Sequence, residues 1–224
     1  EPLCRSVYSQ AADSVRLSAL HPVLWERAEA LGSLTAAVDA LAPAVRAGSA
    51  VRGVEGGLWR LAAELHAAAL RAGAVIRTGA PARAATATTV ELDGETLSAR
   101  AVVIATGPTA AARLLQVEVA PAPPVGLIVA EVVADALDAF PVGSGVIAAP
   151  DVDTAAKALT HVDAKWEWAA AALPGGTHLV RLSAQEGRHG ELTDAAGAAT
   201  VIRTLTGVRI SPADVRRVIP IAWP

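Results

Sequence analysis

The chain has 224 residues, of which 53% are hydrophobic, so it can bury the core of one large domain or two small ones. A formal net charge of -3 at pH 7 argues against a nucleic-acid binder, because phosphate contacts need clustered Lys and Arg. The lone thiol of Cys4 cannot form an internal disulfide, which favours a reducing, cytoplasmic setting. No apolar stretch reaches the ~18 residues of a membrane-spanning helix, and the best candidate, 125–133, is interrupted by Glu131.

The first fifty residues are predicted to be helical. Pro22 stands near the start of one helix and Gly32 at its end. Ser33 can cap a second helix, which Pro43 should end or kink. That second helix places three apolar side chains on one face: Leu34, Val38 and Leu41.

A second segment begins at Val51. Its helix has an apolar face made of Leu58, Leu61 and Leu65, and Gly73 should end it. Residues 74–77 are predicted as a short buried strand, and Asp93-Gly94 predicts a hairpin between 88–92 and 95–99. The apolar run 101–108 is predicted as a strand covered on both faces, followed by a helix through Leu114 and Leu115.

The third segment is predicted to consist mostly of strands, at 125–133, 144–149, 157–165, 177–184 and 214–223. Pro174-Gly175-Gly176 is a turn signal. Thr193 or Asp194 can cap a helix that Gly207 ends. The expected fold class is therefore α+β, with an α/β portion, a mostly antiparallel sheet and a helical segment.

One strand-to-helix turn consists of small residues, Ala105-Thr106-Gly107-Pro108. Such residues let the phosphate or ring of a cofactor approach the backbone, although the same turn also serves chain geometry alone. The sequence contains neither G-x-G-x-x-G after a strand nor G-x-x-x-x-G-K-[ST]. We therefore expect that the chain by itself cannot hold a dinucleotide.

The five histidines show no zinc-ligand spacing with a cysteine or carboxylate, so no metal site is predicted. His161 and His178 could face each other on neighbouring strands, for which a structural role is the simpler interpretation. Aromatic residues make up only 3% of the chain, yet Trp166 and Trp168 fall within Lys165-Trp166-Glu167-Trp168. If the strand continues, both indoles share a face. They then form either a packing pair or a flat surface on which a planar ligand stacks.

Several short segments follow one another in a recognisable order: Glu1-Pro2, Val7-Tyr8, Leu17-Ser18, Gly32-Ser33-Leu34, the glycines and leucine of 53–61, the strand 101–106, the strand from Val125, the segment 159–174 with Lys165-Trp166 and Pro174-Gly175, and 207–220. In this order the chain resembles the protoporphyrinogen and coproporphyrinogen oxidases of the flavin-containing amine oxidase superfamily. The chain begins with Glu1 and has no Met. The resemblance implies an internal fragment that lacks the N-terminal dinucleotide-binding fingerprint and the C-terminal flavin motif.

The resemblance implies a different function for each of three segments of the chain. Residues 1–50 would be a helical, membrane-associated segment on the substrate side. Residues 51–115 would be the middle of a flavin-binding domain, and 116–224 the substrate-binding sheet. The implied activity is FAD-dependent dehydrogenation of a porphyrinogen, protoporphyrinogen IX or coproporphyrinogen III, in heme biosynthesis. The fragment alone is expected to be inactive and not to retain flavin.

The resemblance also implies site residues. Those for FAD are Ala82, near the adenine through its main chain, and Ala105, Thr106 and Gly107, beside the flavin. Those for the porphyrinogen are Trp166 and Ile147. The chain departs from the family pattern at Glu167-Trp168-Ala169, so the porphyrinogen is left open.

Two alternatives to this function stay open. One is another enzyme of the same superfamily, such as an amine oxidase or a desaturase. The other is a non-catalytic tetrapyrrole-binding module without flavin. In each case the expected partners are small molecules, with peripheral membrane contact and no nucleic acid.

Overall fold

The computed structural model describes Cys4 and residues 12–41, 52–119 and 125–223. The chain forms two compact units. The sheet unit comprises Glu1–Gly57 and Pro124–Pro224, and the small unit comprises Leu58–Pro123. The functional division at residues 50 and 115 stays a prediction, because packing does not reveal which segment binds which ligand.

Helices and antiparallel strands together give the α+β class that the sequence predicts. The strands are β1 (Ala84–Ala85), β2 (Thr89–Leu92), β3 (Glu95–Ser98), β4 (Val125–Val133), β5 (Gly145–Ile147), β6 (Ala156–His161), β7 (Thr177–Ala184) and β8 (Val215–Trp223). The α-helices span Leu17–Leu20, Pro22–Leu31, Leu34–Leu41, Trp59–Arg71, Pro108–Leu115, Val162–Lys165, Glu167–Ala171 and Ala195–Thr206.

The sheet unit is built on five antiparallel strands in the order β5-β6-β7-β4-β8. Side chains alternate between the two faces of a strand, so one face of β4 carries Ile128, Ala130 and Val132, all fully buried. The neighbouring strand β7 adds Val180 and Leu182 to the same face. We call this the core face and the opposite one the outer face.

The helix Ala195–Thr206 and the core face of the sheet contribute side chains to the same hydrophobic core. The N-cap of the helix is Asp194, whose side chain accepts a hydrogen bond of 2.8 Å from the Gly197 amide, and Gly207 ends it at φ 74°. Both ends agree with the sequence prediction. The side chains that it contributes to the core are Ala198, Ala199, Val201 and Ile202.

Strand β8 lies at an edge of the sheet and, among the described strands, pairs with β4 alone. Its Pro220 stands opposite Ile128. Proline is tolerated here because an edge strand leaves one row of amides unpaired. The register of the pair shifts between Glu131 and Val132, which marks a bulge.

The N-terminal helices form where the sequence predicts them. Pro22–Leu31 begins with proline and ends at Gly32 with φ 64°, and the Ser33 hydroxyl accepts a hydrogen bond from the Ala36 amide at 3.2 Å. The predicted effect of Pro43 lies outside the described residues. The three leucine and valine side chains expected on one face of Leu34–Leu41 are exposed. Within the described part of the chain, no helix combines the length and apolarity needed to cross a membrane.

The small unit contains the helices Trp59–Arg71 and Pro108–Leu115 and a three-stranded sheet in the order β1-β2-β3. The predicted hairpin joins β2 and β3, with Gly94 at φ 82° in its turn. Gly73, at φ 87°, follows the first helix as expected.

Two strand predictions in the small unit are wrong. Residues 74–77 and 101–107 are irregular, and Val75 and Val103 are 86% and 87% exposed. Val102 donates one backbone hydrogen bond, of 2.9 Å, to Ala87. An extended segment becomes a strand only when a neighbour continues the ladder, and no described residue does so here. The helix predicted to follow does form, from Pro108.

Candidate functional site

A row of side chains crosses the outer face of the sheet. The register pairs Ile147 with Ala158, Ala158 with Ser183, Ser183 with Leu127, and Leu127 with Ile221. Directly paired residues of neighbouring strands point to the same side, so these five belong to one face. Ile147, which the family resemblance implies for substrate binding, thus lies at the edge of a largely apolar row and is 39% exposed.

A second row runs beside the first and carries a positive charge. It pairs Thr160 with Arg181, Arg181 with Val129, and Val129 with Ile219. Arg181 is exposed and donates from Nη2 to Thr160 Oγ1 at 3.1 Å. The outer face therefore combines apolar side chains with an oriented guanidinium, which suits a flat apolar ligand that bears an anionic group.

Trp166 does not lie on a strand. Strand β6 ends at His161, short of the predicted end at residue 165, and Trp166 separates the helices Val162–Lys165 and Glu167–Ala171. The strand does not continue through Trp166 and Trp168, so the condition for their alternation along one strand is not met. The indole of Trp166 is half-buried, and a Cβ on Gly53 would come within 3.0 Å of its Cη2 atom. Its six-membered ring thus packs against the Gly53 backbone.

The residues implied for FAD lie in the small unit. Ala105, Thr106 and Gly107 are exposed and directly precede the helix Pro108–Leu115, of which Gly107 is the N-cap. A Cβ on Gly107 would meet nothing within 4 Å, so the backbone of this turn is open. Ala82 is half-buried just before β1. An open turn of small residues fits the edge of a flavin ring, whereas the sequence offers no glycine-rich loop for the pyrophosphate.

A buried cluster of ionisable groups lies at one end of the core face. His161 is the last residue of β6, Asp163 is in the helix that follows, and His178 is the second residue of β7. His161 Nε2 is 3.0 Å from His178 Nδ1, and Asp163 Oδ2 is 2.9 Å from His178 Nδ1 and 3.2 Å from His161 Nε2. The exposures of the three residues are 1%, 7% and 2%. We call this the His–Asp cluster.

Backbone geometry places the carboxylate of the cluster. The last pair between β6 and β7 joins His161 to Val180, so the amide of Leu179 lies just beyond the end of β6. Asp163 Oδ1 accepts a 2.8 Å hydrogen bond from that amide. One carboxylate oxygen thus replaces the missing strand, and the other faces the two imidazoles.

The pKa of His161 reflects its burial and its two neighbours in the cluster. Burial lowers this pKa below its usual value, partly opposed by the nearby Asp163 carboxylate and reinforced by His178. His178 Nε2 is buried without a hydrogen-bond partner and lies 3.4 Å from Asp138 Oδ1. This distance allows attraction, but the two groups are not aligned for a hydrogen bond.

Phe140, the one phenylalanine of the chain, contacts both imidazole rings. Its ring centroid is 5.0 Å from that of His161 and 6.4 Å from that of His178, in edge-to-face geometry. Its φ of 45° is uncommon for a bulky residue, and its side chain is 41% exposed. The ring thus lies between the cluster and solvent.

Sequence reasoning anticipated only part of this cluster. The prediction that His161 and His178 face each other is confirmed, with ring centroids 5.0 Å apart. The spacing of the histidines does not reveal the carboxylate, because Asp163 lies on the helix that follows β6. The signal that could have found it is the H-x-D spacing of His161 and Asp163 at a strand end, with a histidine opening the next strand.

Comparison with protein-family models finds no match, and neither does comparison with curated proteins. Among solved structures, the chain is similar to the "Putative protoporphyrinogen oxidase" from Exiguobacterium sp. 255-15, with a TM-score of 0.72 at 17% identity. The alignment covers 99% of this chain and 50% of that one, so the chain spans about half the length of its structural relative. At this identity the likeness shows a shared fold.

Proposed function

We propose that the chain is part of an FAD-dependent oxidase that dehydrogenates a porphyrinogen to the porphyrin in heme biosynthesis. The outer face of the sheet would bind the tetrapyrrole, and the small unit would contribute one edge of the flavin site. The fold shared with the Exiguobacterium structure supports this class of enzyme. The substrate would be protoporphyrinogen IX or coproporphyrinogen III.

The residues of the outer face are the main observation that supports this proposal. A tetrapyrrole is a broad apolar ring with acidic propionates at one edge. The row from Ile147 to Ile221 offers apolar contact, and Arg181 in the adjacent row offers a charge-assisted hydrogen bond to a carboxylate. Trp166, half-buried beyond the end of β6, would add a ring that packs on the ligand.

The flavin, when bound, accepts the hydride that leaves the substrate. The chain's own share is to orient the porphyrinogen and to exclude water, which needs no acid–base residue on the outer face. Ala105, Thr106 and Gly107 would border the flavin ring through their open backbone, and Ala82 would lie near the adenine.

A titration with protoporphyrin IX tests the proposed substrate face. The Soret band of the porphyrin serves as the readout, because it does not depend on tryptophan, and quenching of Trp fluorescence is followed in parallel. Arg181→Gln should weaken binding roughly tenfold or more through loss of a charge-assisted hydrogen bond. The single variants Trp166→Ala and Ile147→Ala should also weaken porphyrin binding, because each reduces apolar contact.

Trp59→Ala is the matched control, since it removes an exposed indole of the small unit. It should leave the Soret titration unchanged. Absence of any Soret shift with the unsubstituted chain would refute the porphyrin site. A shift that survives both Arg181→Gln and Trp166→Ala would place the site away from the outer face.

A non-catalytic tetrapyrrole-binding module is the second candidate. It would use the same outer face, because the apolar row and Arg181 would contact a tetrapyrrole in the same way without flavin. Both candidates predict porphyrin binding, so flavin separates them. The coding sequence upstream of Glu1 would contain a G-x-G-x-x-G after a strand for the enzyme, and the corresponding longer protein would purify with flavin.

A further inference from the structure

We propose that His161, Asp163 and His178 form a binding site for one divalent transition-metal ion, for which Zn²⁺ is the best match. The ligand atoms would be His161 Nε2, Asp163 Oδ2 and His178 Nδ1. Two imidazole nitrogens and one carboxylate oxygen form a ligand set that suits zinc, with a fourth position left for water. The site lies on the core face and is independent of the porphyrin site proposed above.

The three ligand atoms form a compact triangle with sides of 3.0, 2.9 and 3.2 Å. Its centre is roughly 1.8 Å from each corner, so an ion about 1 Å above the plane would lie about 2.1 Å from all three atoms. That distance matches the bonds of zinc to imidazole and carboxylate. The distances between the three atoms therefore need little change to bind the ion.

The three atoms can be satisfied in two ways. If both ring nitrogens carry protons, both can donate to Asp163 Oδ2, which lies 2.9 Å from His178 Nδ1 and 3.2 Å from His161 Nε2. In the other neutral tautomers both nitrogens present lone pairs, 3.0 Å apart, and a cation then allows all three atoms to direct lone pairs at it.

The unpartnered nitrogen of His178 supports the same arrangement. A histidine that binds metal through Nδ1 carries its proton on Nε2, and such a proton usually points to a carboxylate or carbonyl. His178 Nε2 is buried, has no hydrogen-bond partner and lies 3.4 Å from Asp138 Oδ1. A small rotation of the exposed Asp138 side chain would complete this contact. Asp163 Oδ1 is already held by the Leu179 amide, which orients Oδ2 toward the imidazoles.

Burial adds an electrostatic reason. The Asp163 carboxylate is nearly inaccessible to solvent; Oδ1 accepts one backbone hydrogen bond, and Oδ2 lies within hydrogen-bond distance of the two imidazoles. A buried carboxylate is costly unless it is paired with a cation or well hydrogen-bonded. Among the described residues, no Lys or Arg forms an ion pair with it. A bound divalent ion would supply the compensating charge.

The test uses the purified chain after treatment with a chelator. Cobalt(II) chloride is added and the d–d absorption is followed, since cobalt in a four-coordinate site of nitrogen and oxygen ligands absorbs strongly in the visible range. We expect saturation at one equivalent and displacement by Zn²⁺. X-ray absorption of the zinc-loaded chain should show two imidazole ligands.

Three variants locate the site. Asp163→Asn keeps the acceptor for the Leu179 amide but loses the anionic ligand, and His178→Asn keeps a polar group near the Nδ1 position. Each should reduce cobalt affinity at least tenfold. Asp138→Asn, at an exposed side chain, should reduce affinity about tenfold by weakening the second contact of His178. The control His66→Gln alters an exposed histidine of the small unit and should change nothing.

Several outcomes would overturn the proposal. They are no cobalt band with the folded, unsubstituted chain, an X-ray absorption spectrum with sulfur ligands or only oxygen ligands, and unchanged affinity in Asp163→Asn. Near-ultraviolet circular dichroism checks that each variant is folded. If a ligand variant does not fold, the spectra of the unsubstituted chain and the Asp138→Asn affinity still decide the question.

Discussion

The two units of this chain differ in how far they bury their apolar side chains. The sheet unit buries them in a continuous core, in which Ile128, Val132 and Leu182 have no exposed surface. In the small unit, the buried apolar side chains recorded among the described residues are Ala112 and Leu114. An apolar pattern therefore defines a face of a helix or strand, but it does not supply the partner that covers that face.

The helix Trp59–Arg71 illustrates this difference. The predicted apolar face consists of Leu61 and Leu65 in this helix and Leu58 at its N-cap, and such a face would normally pack on a core. Leu61, Leu65 and Leu58 are 50%, 62% and 68% exposed. Under the proposed function, the rest of the flavin domain would cover them. The experiments below test the contrast between the two units, from the largest expected effect to the smallest.

Amide hydrogen exchange should separate the units most clearly. Amides in the middle of β4 and β7 are paired inside the sheet and should exchange only on global unfolding. Amides at 75–77 and 103–105 donate no backbone hydrogen bond to a described residue and should exchange at least about a thousandfold faster. Mass spectrometry of peptides from each region measures this. Equal protection in both regions would show that the small unit has a core of its own.

Truncation of a leucine should cost far more in the sheet unit. Leu182→Ala leaves a cavity in the core and should lower the free energy of unfolding by about 2–5 kcal/mol. Leu65→Ala, the matched truncation on an exposed site, should change it by less than about 0.5 kcal/mol. Urea unfolding of the two variants gives both values. A large loss in Leu65→Ala would mean that the small unit buries this side chain in solution.

Glycine substitution tests close packing in the same way. A Cβ on Gly197 would overlap with the carbonyl oxygen of Glu191, so Gly197→Ala should cost about 1–3 kcal/mol. Gly107→Ala meets nothing within 4 Å and should cost less than about 1 kcal/mol, since alanine is only a poorer N-cap. Thermal melting of the two variants compares them. The reverse order would contradict the packing described for the helix Ala195–Thr206.

The smallest expected effect is the pH dependence that surface carboxylates cause. The Ser211 amide and hydroxyl donate to Asp214 and lower its pKa, and in the small unit a hydrogen bond from Arg83 lowers the pKa of Asp93. Because the folded pKa is the lower one, each carboxylate stabilises the folded state above the unfolded value of about 3.9 and loses that contribution as the pH falls below it.

Asp214→Asn should therefore reduce stability near neutral pH and flatten its loss below about pH 4. Urea midpoints measured from pH 7 to pH 2.5 report this. Asp93→Asn should act in the same direction. Because Asp93 lies in the small unit, this variant should change the stability of the sheet unit less than Asp214→Asn does. Hydrogen exchange of the β4 amides measures this difference. A steeper acid loss in Asp214→Asn would contradict the assigned sign.

Sequence patterns predicted the local structure well where the signal was local. The bounds of β4 and β7, the hairpin turn at Gly94 and the caps Asp194 and Gly207 agree with the structure. Each depends on residues within a few positions, such as a capping carboxylate or a glycine with positive φ. The predicted FAD residues, and Trp166 and Ile147 for the porphyrinogen, stay predictions.

Sequence patterns failed where a distant partner decides. Apolar runs at 74–77 and 101–107 have the composition of strands, but no described neighbour forms a continuous ladder of hydrogen bonds with them. The end of β6 at His161 depends on Asp163, which accepts the Leu179 amide in place of a strand. The His–Asp cluster was out of reach for the same reason, because the register of β6 and β7 brings its members together across a sheet.

The sequence by itself determined the α+β class and most helix and strand positions. Those properties follow from side-chain periodicity and from caps, which act over a few residues. Only the tertiary structure decided which apolar faces are covered, which side chains share the outer face with Arg181, and that two histidines and an aspartate meet in the core. The reason is that strand register and burial are set by contacts between residues far apart in the chain, and local patterns do not encode these contacts.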